Sequence, residues 1–432
     1  MQTLIHYLEN KKYNKIILAW FVCLTGALLF FYEFMQMNIF NSLSVFLMRD
    51  LHLDAKKLGI LSSIYFYSNA LLIFLAGVLL DKFSTRKLIL FAISSCTLGT
   101  LIFSFVHTFW LAVICRFLVG IGGAFCFLGA VKLASRWFNA TKMGLVIGVI
   151  VTMAMFGGMI AQAPFLALIK LLGWRQAIFV DGLIGIVFIL LIFFIVKDYP
   201  HNYNMKQEID LKQHLPLRRS IKNILLNIQN WYGAFFTCFM NAPVFILGAF
   251  IGDMYLHKID GLSLIQASFV IQMIYIGTMF GSPLFGWISD YFTNRKIPMI
   301  TGSICALLII SILITIHNIS FIYLIILFFL LGLMTAAQVL GYPIVSEHNP
   351  KIFIGTSVST VSMITVLSGG LLIPLTGWIL VAYSPHNAIN YSNAAYHDAI
   401  LILPICFCIA LLMAILIRET NCKTLEQRTK NV

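Results

Sequence analysis

The sequence is short of charge. Only 10% of its 432 residues are Asp, Glu, Lys or Arg, against 60% hydrophobic residues and a mean hydropathy of +0.93. A soluble chain carries about 25% charged residues, so that class is excluded. Motifs for metal and redox chemistry are also missing. There are nine cysteines but no CxxC, and eight of the nine lie within apolar runs, where a thiol behaves as a small hydrophobe. The ten histidines fall in tails, loops or helix ends, without an HExxH or similar cluster, so no metal and no cofactor is expected. GxxxxGK[ST] is absent, which argues against ATP as the direct driver. No nucleophile–base pair falls within the apolar runs, which argues against an enzyme. No secretory signal peptide is visible, because the first fifteen residues are polar and the apolar segment after them is too long for a signal h-region.

What the chain has instead is apolar runs of about 20 residues, the length that crosses a ~30 Å hydrocarbon core. The pattern predicts spans over 16–47, 58–80, 88–106, 110–133, 143–169 and 175–197, then 229–253, 264–288, 297–316, 320–345, 353–382 and 397–417. A polar, mixed-charge stretch, 198–228, separates the two sets. The expected organisation is a six-helix bundle over 1–197, a linker over 198–228, a second bundle over 229–418 and a tail over 419–432. The net charge of +13 is a topology signal. With the amino terminus inside, inner segments hold 22 Lys and Arg and outer loops six, and Arg116 lies within a span. The positive-inside rule then puts both termini and the linker in the cytoplasm. The basic balance therefore needs no nucleic-acid partner.

The two sets are related by a repeat. GVLLDKFSTRK at Gly77–Lys87 returns as GWISDYFTNRK at Gly286–Lys296, with Gly77, Asp81 and Arg86 each 209 positions before Gly286, Asp290 and Arg295. FLVG at 117–120 and FLLG at 329–332 are 212 apart, and Gly157-Gly158 is answered by Gly369-Gly370. A duplicated six-plus-six layout is that of a two-half transporter.

On these residues the chain resembles the major facilitator superfamily over essentially its whole length. Gly77, Asp81, Arg86 and Lys87 match the family's signature between spans 2 and 3. Arg116, Gly120, Gly122 and Ala124 match its span-4 motif, and GWRQAIF at 173–179 suits its span-6 entry. Ser84 and Thr293 stand where the family usually has Gly, and Thr85 and Asn294 where it usually has a basic residue. The resemblance implies an all-α membrane protein, twelve transmembrane helices in two pseudo-symmetric bundles, working by alternating access. It also implies a gating latch. Asp81 would face the start of span 11 near 354–356, and Asp290 the start of span 5 near 143–145, where unpaired N–H groups and helix dipoles attract a carboxylate. Gly77 and Gly286 would let the backbones approach, and Arg86, Lys87, Arg295 and Lys296 complete the motif.

Ionisable residues inside a span are costly, by about 2.5–3.5 kcal/mol on insertion scales, and tend to be functional. Glu33 lies deep in span 1, and Thr25, Gly26, Gln36, Asn41 and Ser44 fall on its side of the helix. Arg116 in span 4 and Asp181 in span 6 lie at similar depth. One reading has Glu33 taking up a proton when parted from Arg116 and releasing it when they meet. The other has Asp181 as a structural charge permanently paired with Arg116. By the repeat offsets Arg116 corresponds to Phe328 and Glu33 to Ala242, so the architecture itself demands neither charge. Further substrate-site candidates are Tyr65, Asn69 and Lys132 in the first half, and Asn241, Gln272, Tyr275, Gln338 and Tyr342 in the second.

The expected function is secondary transport of a small hydrophilic solute across a bacterial inner membrane by a monomer in the lipid bilayer, coupled to protons. Amino acids, short peptides or organic anions suit a site holding both charges. A softer resemblance, to bacterial facilitators related to the lysosomal dipeptide-transporter branch, puts peptides or amino acids first. Uncoupled facilitation of dipeptides and drug or metabolite efflux are the alternatives within transport. A nutrient sensor of transporter fold is the alternative from another class, but it would need an output domain larger than the tail or linker.

Overall fold

The computed structural model describes residues 12–138, 143–200, 226–316, 319–349, 354–383 and 391–423. Among them every regular element is helical. In chain order these are α1 (Lys12–Asp50), α2 (Ala55–Lys82), α3 (Thr85–Phe103), α4 (Phe109–Trp137), α5 (Met143–Ile160), α6 (Ala163–Leu172) and α7 (Trp174–Ile195). Then follow α8 (Ile228–Met240), α9 (Gly252–Ile259), α10 (Leu264–Tyr291), α11 (Lys296–Thr315), α12 (Phe321–Thr335), α13 (Gly341–Glu347), α14 (Ile354–Ala382), α15 (Asn393–Ile400) and α16 (Ile402–Leu416). Eleven segments are long and apolar enough to cross a membrane among the described residues. The remaining expected span, 58–80, lies within α2, a helix of 28 residues. Large apolar side chains stay exposed on the helix surfaces, Trp110, Leu171 and Ile322 among them, as helices facing lipid tails require.

Among the described residues sixteen α-helices make up the twelve expected spans because several spans are interrupted, and the interruptions follow proline. Proline has no N–H to give the carbonyl four residues earlier. Helix α5 ends at Ile160, four before Pro164, and α15 ends at Ile400, four before Pro404. Span 10 tightens into a 3-10 turn over Ala336–Leu340, which contains Val339, four before Pro343. In span 7, Pro243 follows the end of α8 and precedes a π-helical stretch over Val244–Ile251. Pro283 and Pro374, by contrast, sit in helices that remain continuous.

The chain forms two compact units. Unit 1 takes the described residues up to Met37, Tyr67–Gly157 and the described residues from Leu168 to 200. Its core is α3 packed between α4 and α7. Unit 2 takes Asn38–Phe66, Gly158–Ala167 and the described residues from 226 onward. It is built around α10 against α12, with α8 against α14 and α16. Small residues set the closest approach in unit 2. A Cβ on Gly277 would lie 2.1 Å from the Phe329 carbonyl oxygen, and one on Gly332 would lie 2.1 Å from that of Ile274. The two backbones touch, as packing without a hydrophobic drive between helices demands.

In each half, a carboxylate from the chain beyond the last helix caps an earlier helix. In unit 1, Asp198 accepts from the Arg86 backbone N–H (2.8 Å) and from the Ser84 hydroxyl, and Arg136 stands 3.6 Å away. In unit 2, Glu419 accepts from the backbone N–H groups of Arg295 (3.1 Å) and Lys296 (2.7 Å), where α11 begins. The repeat thus extends to residues that the sequence comparison had not paired. Burial pushes the Glu419 carboxyl up, but the N–H donors of Arg295, Lys296, Asn421 and Thr420 outweigh it and leave it below its ordinary value of 4.5. A depressed carboxyl contributes stability that is full above the unfolded value and is lost as pH falls through the folded one. Glu419→Ala is therefore expected to lower stability by about 1 kcal/mol at neutral pH, the usual worth of a helix cap. The difference from wild type should shrink only below pH 4.5, which thermal melts of purified protein across pH check.

Candidate functional site

The buried charges of unit 1 are held by four helices. Glu33 and Gln36, three apart on α1, face the interior beside α3, α4 and α7, and Glu33, Arg116 and Asp181 are each at most 1% exposed. The Glu33 carboxylate has room because its neighbour on α4 is Gly122. A Cβ there would lie 1.9 Å from Glu33 Oε1, with Ala92 and Cys96 of α3 on the same wall. Gly122 belongs to the RFLVGIGGA motif, so one of its glycines clears space for a charge on another helix. The Cys96 side chain lies beside Glu33 on this wall and is itself fully buried.

Gln36 is the junction of the cluster. Its side-chain amide donates to Asp181 Oδ2, while its backbone carbonyl accepts from Arg116 Nη1 at 3.0 Å. Tyr32, one turn earlier, donates to the Asp181 backbone carbonyl at 3.1 Å. Asp181 Oδ1 is buried without a hydrogen-bond partner among the described residues. The structure therefore brings Glu33, Gln36, Arg116 and Asp181 into one cluster, with Gln36 between Arg116 and Asp181.

The other candidates are distributed more widely. Asn69 is buried in unit 1, and its Oδ1 has no partner among the described residues. Lys132 is half-buried on α4. In unit 2, Tyr65 is buried and stacks edge-on against Phe66. Asn241 caps the end of α8 and its side chain reaches the Thr237 carbonyl at 3.4 Å. Gln272 and Gln338 are buried at 9% exposure, and the Gln338 carbonyl accepts from Thr237 (3.1 Å). Tyr342 is half-buried, and its carbonyl accepts from the Ser346 hydroxyl at 2.8 Å. Tyr275 is buried and donates to Asn38 Oδ1 at 2.5 Å.

Of the latch motif, Asp290 is exposed and pairs with Arg295 Nη1 at 2.6 Å, and Arg295 Nη2 meets Glu347 at 2.9 Å. Arg86 is held at Asp198, Lys87 donates its backbone N–H to Ser84, and Lys296 Nζ bonds the Ile415 carbonyl at 2.5 Å. A Cβ on Gly77 or Gly286 would meet nothing within 4 Å among the described residues. The Asp81 side chain, with those of 143–145 and 354–356, lies outside the described residues.

Sequence reasoning missed a second polar cluster, in unit 2. Asn41, expected near Glu33's face, instead donates through Nδ2 to both Gln162 Oε1 and Asp253 Oδ1, each at 2.8 Å. The available signal was Asn38 and Asn41 one turn apart on α1, with Gln162 and Asp253 each beside a proline-interrupted helix.

Two related sets of membrane-length helices, all-helical among the described residues and with a buried cluster of Glu33, Arg116 and Asp181 inside the first, are the framework of a solute transporter. The Major Facilitator Superfamily profile matches residues 25–371 and 245–430. The chain belongs to the major facilitator superfamily. It is similar to the uncharacterized transporter YybO of Bacillus subtilis, at 26% identity over 360 residues, 76% of this chain and 80% of that protein. It is also similar to the probable galactarate/D-glucarate transporter GarP of Escherichia coli, at 25% over 343 residues, 71% of this chain and 76% of that protein. Among solved structures, the inward-facing, unoccupied bacterial homologue of the human lysosomal transporter Spinster superposes with a TM-score of 0.75. That likeness covers 93% of this chain and 97% of the other at 17% identity, and it is one of fold. The protein is a multi-pass membrane transporter of small solutes and not an enzyme.

Proposed function

We propose that the protein is a secondary transporter of a small organic anion, coupled to protons through Glu33. It works as a monomer in a bacterial inner membrane with both termini in the cytoplasm. The observation that carries this reading is the unit 1 cluster, in which Arg116 keeps its charge at any biological pH and holds the Gln36 carbonyl, while Glu33, three residues before Gln36, is buried against Gly122 and Cys96. At the corresponding places of the second half stand Phe328 and Ala242, both buried. A helix bundle of this kind therefore packs without the charges, and their cost inside a membrane calls for a role in transport. GarP, named for a dicarboxylate, favours an organic anion over the peptides that the sequence first suggested.

In this scheme Arg116 supplies the positive field for the anion. Gln36, Asn69, Lys132 and Tyr65 stand on the first half's side, and Asn241, Gln272, Gln338 and Tyr342 on the second's. Asp81 and Asp290 act as latches that form and break as the halves rock, with Gly77 and Gly286 closing up only when they form. Glu33 carries the proton.

The test is uptake into proteoliposomes from a panel of sugar acids, other mono- and dicarboxylates, neutral sugars, amino acids and dipeptides. Saturable uptake of a carboxylate, inhibited by other carboxylates and indifferent to neutral sugars and dipeptides, is expected. Selective uptake of a dipeptide would overturn the anion assignment.

A further inference from the structure

Unit 2 holds a polar network that joins segments far apart in the sequence. Asn38 and Asn41 come from α1 and Gln162 from the break between α5 and α6, all in the first half of the chain. Asp253, Ser268, Tyr275 and the Gly248 carbonyl come from α9, α10 and the π-helical stretch, all in the second. Asn41 and Asp253 exchange bonds in both directions. Asn41 Nδ2 donates to Asp253 Oδ1 at 2.8 Å, and the Asp253 backbone N–H donates back to Asn41 Oδ1 at 3.0 Å. Ser268 donates to the other Asp253 oxygen. Gln162 accepts from Asn41 at 2.8 Å and donates to the Gly248 carbonyl at 2.9 Å. Asp253, Ser268, Gln162 and Asn41 are each at most 2% exposed.

The surroundings are tightly fitted. On α2, Gly59 would place a Cβ 3.3 Å from Phe250 and from the backbone of Ile373 and Pro374. A Cβ on Gly369 of α14 would be 2.6 Å from Phe66. A permanent contact between two helix sets needs no more than such apolar packing. Directional bonds that are all satisfied in one register, inside an apolar wall, do something else. They specify a single closed arrangement. They also give little away when opened, because each group then bonds to water and the net difference per hydrogen bond is small.

We propose that Asn41, Gln162, Asp253 and Ser268 form the lock that closes the face of the transporter opposite its termini, and that transport requires the lock to part and re-form. The proposal rests on the alternating-access reading of the chain. The π-helical stretch belongs to the device. Such bulges free backbone groups inside a helix and often mark functional sites, and here the carbonyl of Gly248 serves Gln162.

The experiment uses Ser63→Cys as a reporter. Ser63 is fully buried on α2, one turn from Gly59, and donates within its own helix to the Gly59 carbonyl at 2.6 Å. Full-length protein in vesicles of both orientations is treated with a membrane-impermeant maleimide, and the same protein without the reporter corrects for native cysteines. Asn41→Leu and Asp253→Ala are expected to speed labelling from the face opposite the termini by about tenfold or more, since one buried hydrogen bond corresponds to roughly that factor. Asp253→Asn, which keeps an acceptor for Asn41, should give a smaller increase. Ser268→Ala serves as the milder variant if either of the first two fails to fold. Unchanged labelling in the folded variants, or acceleration only from the face bearing the termini, overturns the proposal. No solute enters the assay, so an error in substrate class leaves its outcome untouched.

Discussion

Arg116→Leu is expected to be the most destabilising single change in the first half of the chain, by about 3–5 kcal/mol, the cost of leaving buried charge without its partner. Arg116 is 1% exposed and shares its surroundings with two fully buried carboxyl groups, Glu33 and Asp181. It also supplies the donor for the Gln36 carbonyl, and Gln36 in turn holds Asp181. Removing the guanidinium therefore strips the whole cluster. Thermal melts of the purified protein should show the loss. A triple variant that adds Glu33→Gln and Asp181→Asn should regain part of it, because contacting groups are energetically coupled by about 0.5–3 kcal/mol. If Arg116→Leu melts like wild type, the cluster is not an electrostatic unit. The second half provides the internal control, since Phe328 fills the corresponding place with 1% exposure and no charge.

Glu33→Gln is expected to uncouple transport without harming the fold. The amide has the shape of the carboxylate and fits the space left by Gly122, but it binds no proton at any working pH. A one-unit pH gradient supplies about 1.4 kcal/mol per proton, a tenfold concentration ratio. The variant should therefore lose about tenfold accumulation per imposed pH unit while still exchanging solute across the membrane at near wild-type rate. Accumulation by Glu33→Gln that still follows the gradient would move the proton site elsewhere, with Asp181 next in line.

The fold was legible because bilayer length and duplication are one-dimensional signals. Apolar runs gave the spans, and a 209-residue offset exposed the two halves. What escaped was local. The breaks at Ile160, Met240 and Ile400 depend on which carbonyl loses its donor to a proline, and a span count does not ask that. The cluster of Glu33, Arg116 and Asp181 could be anticipated from depth alone, but the part played by Gln36 could not. A backbone carbonyl that serves as an acceptor has no sequence signature. Asn41 shows the same limit. A helical wheel places it near Glu33, whereas tertiary packing, not periodicity, decides that it meets Asp253 and Gln162. The caps made by Asp198 and Glu419 were missed because their spacing, 221 positions, departs from the 209 and 212 of the rest of the repeat.

The central claim is that a proton moves with an organic anion. The most direct measurement is proton flux in proteoliposomes, read with an internal pH dye after adding the carboxylate found by uptake, with no gradient imposed beforehand. The account predicts that the interior acidifies in step with solute entry in wild type and stays unchanged with Glu33→Gln. Entry of the same solute into wild-type vesicles with no accompanying proton would contradict it.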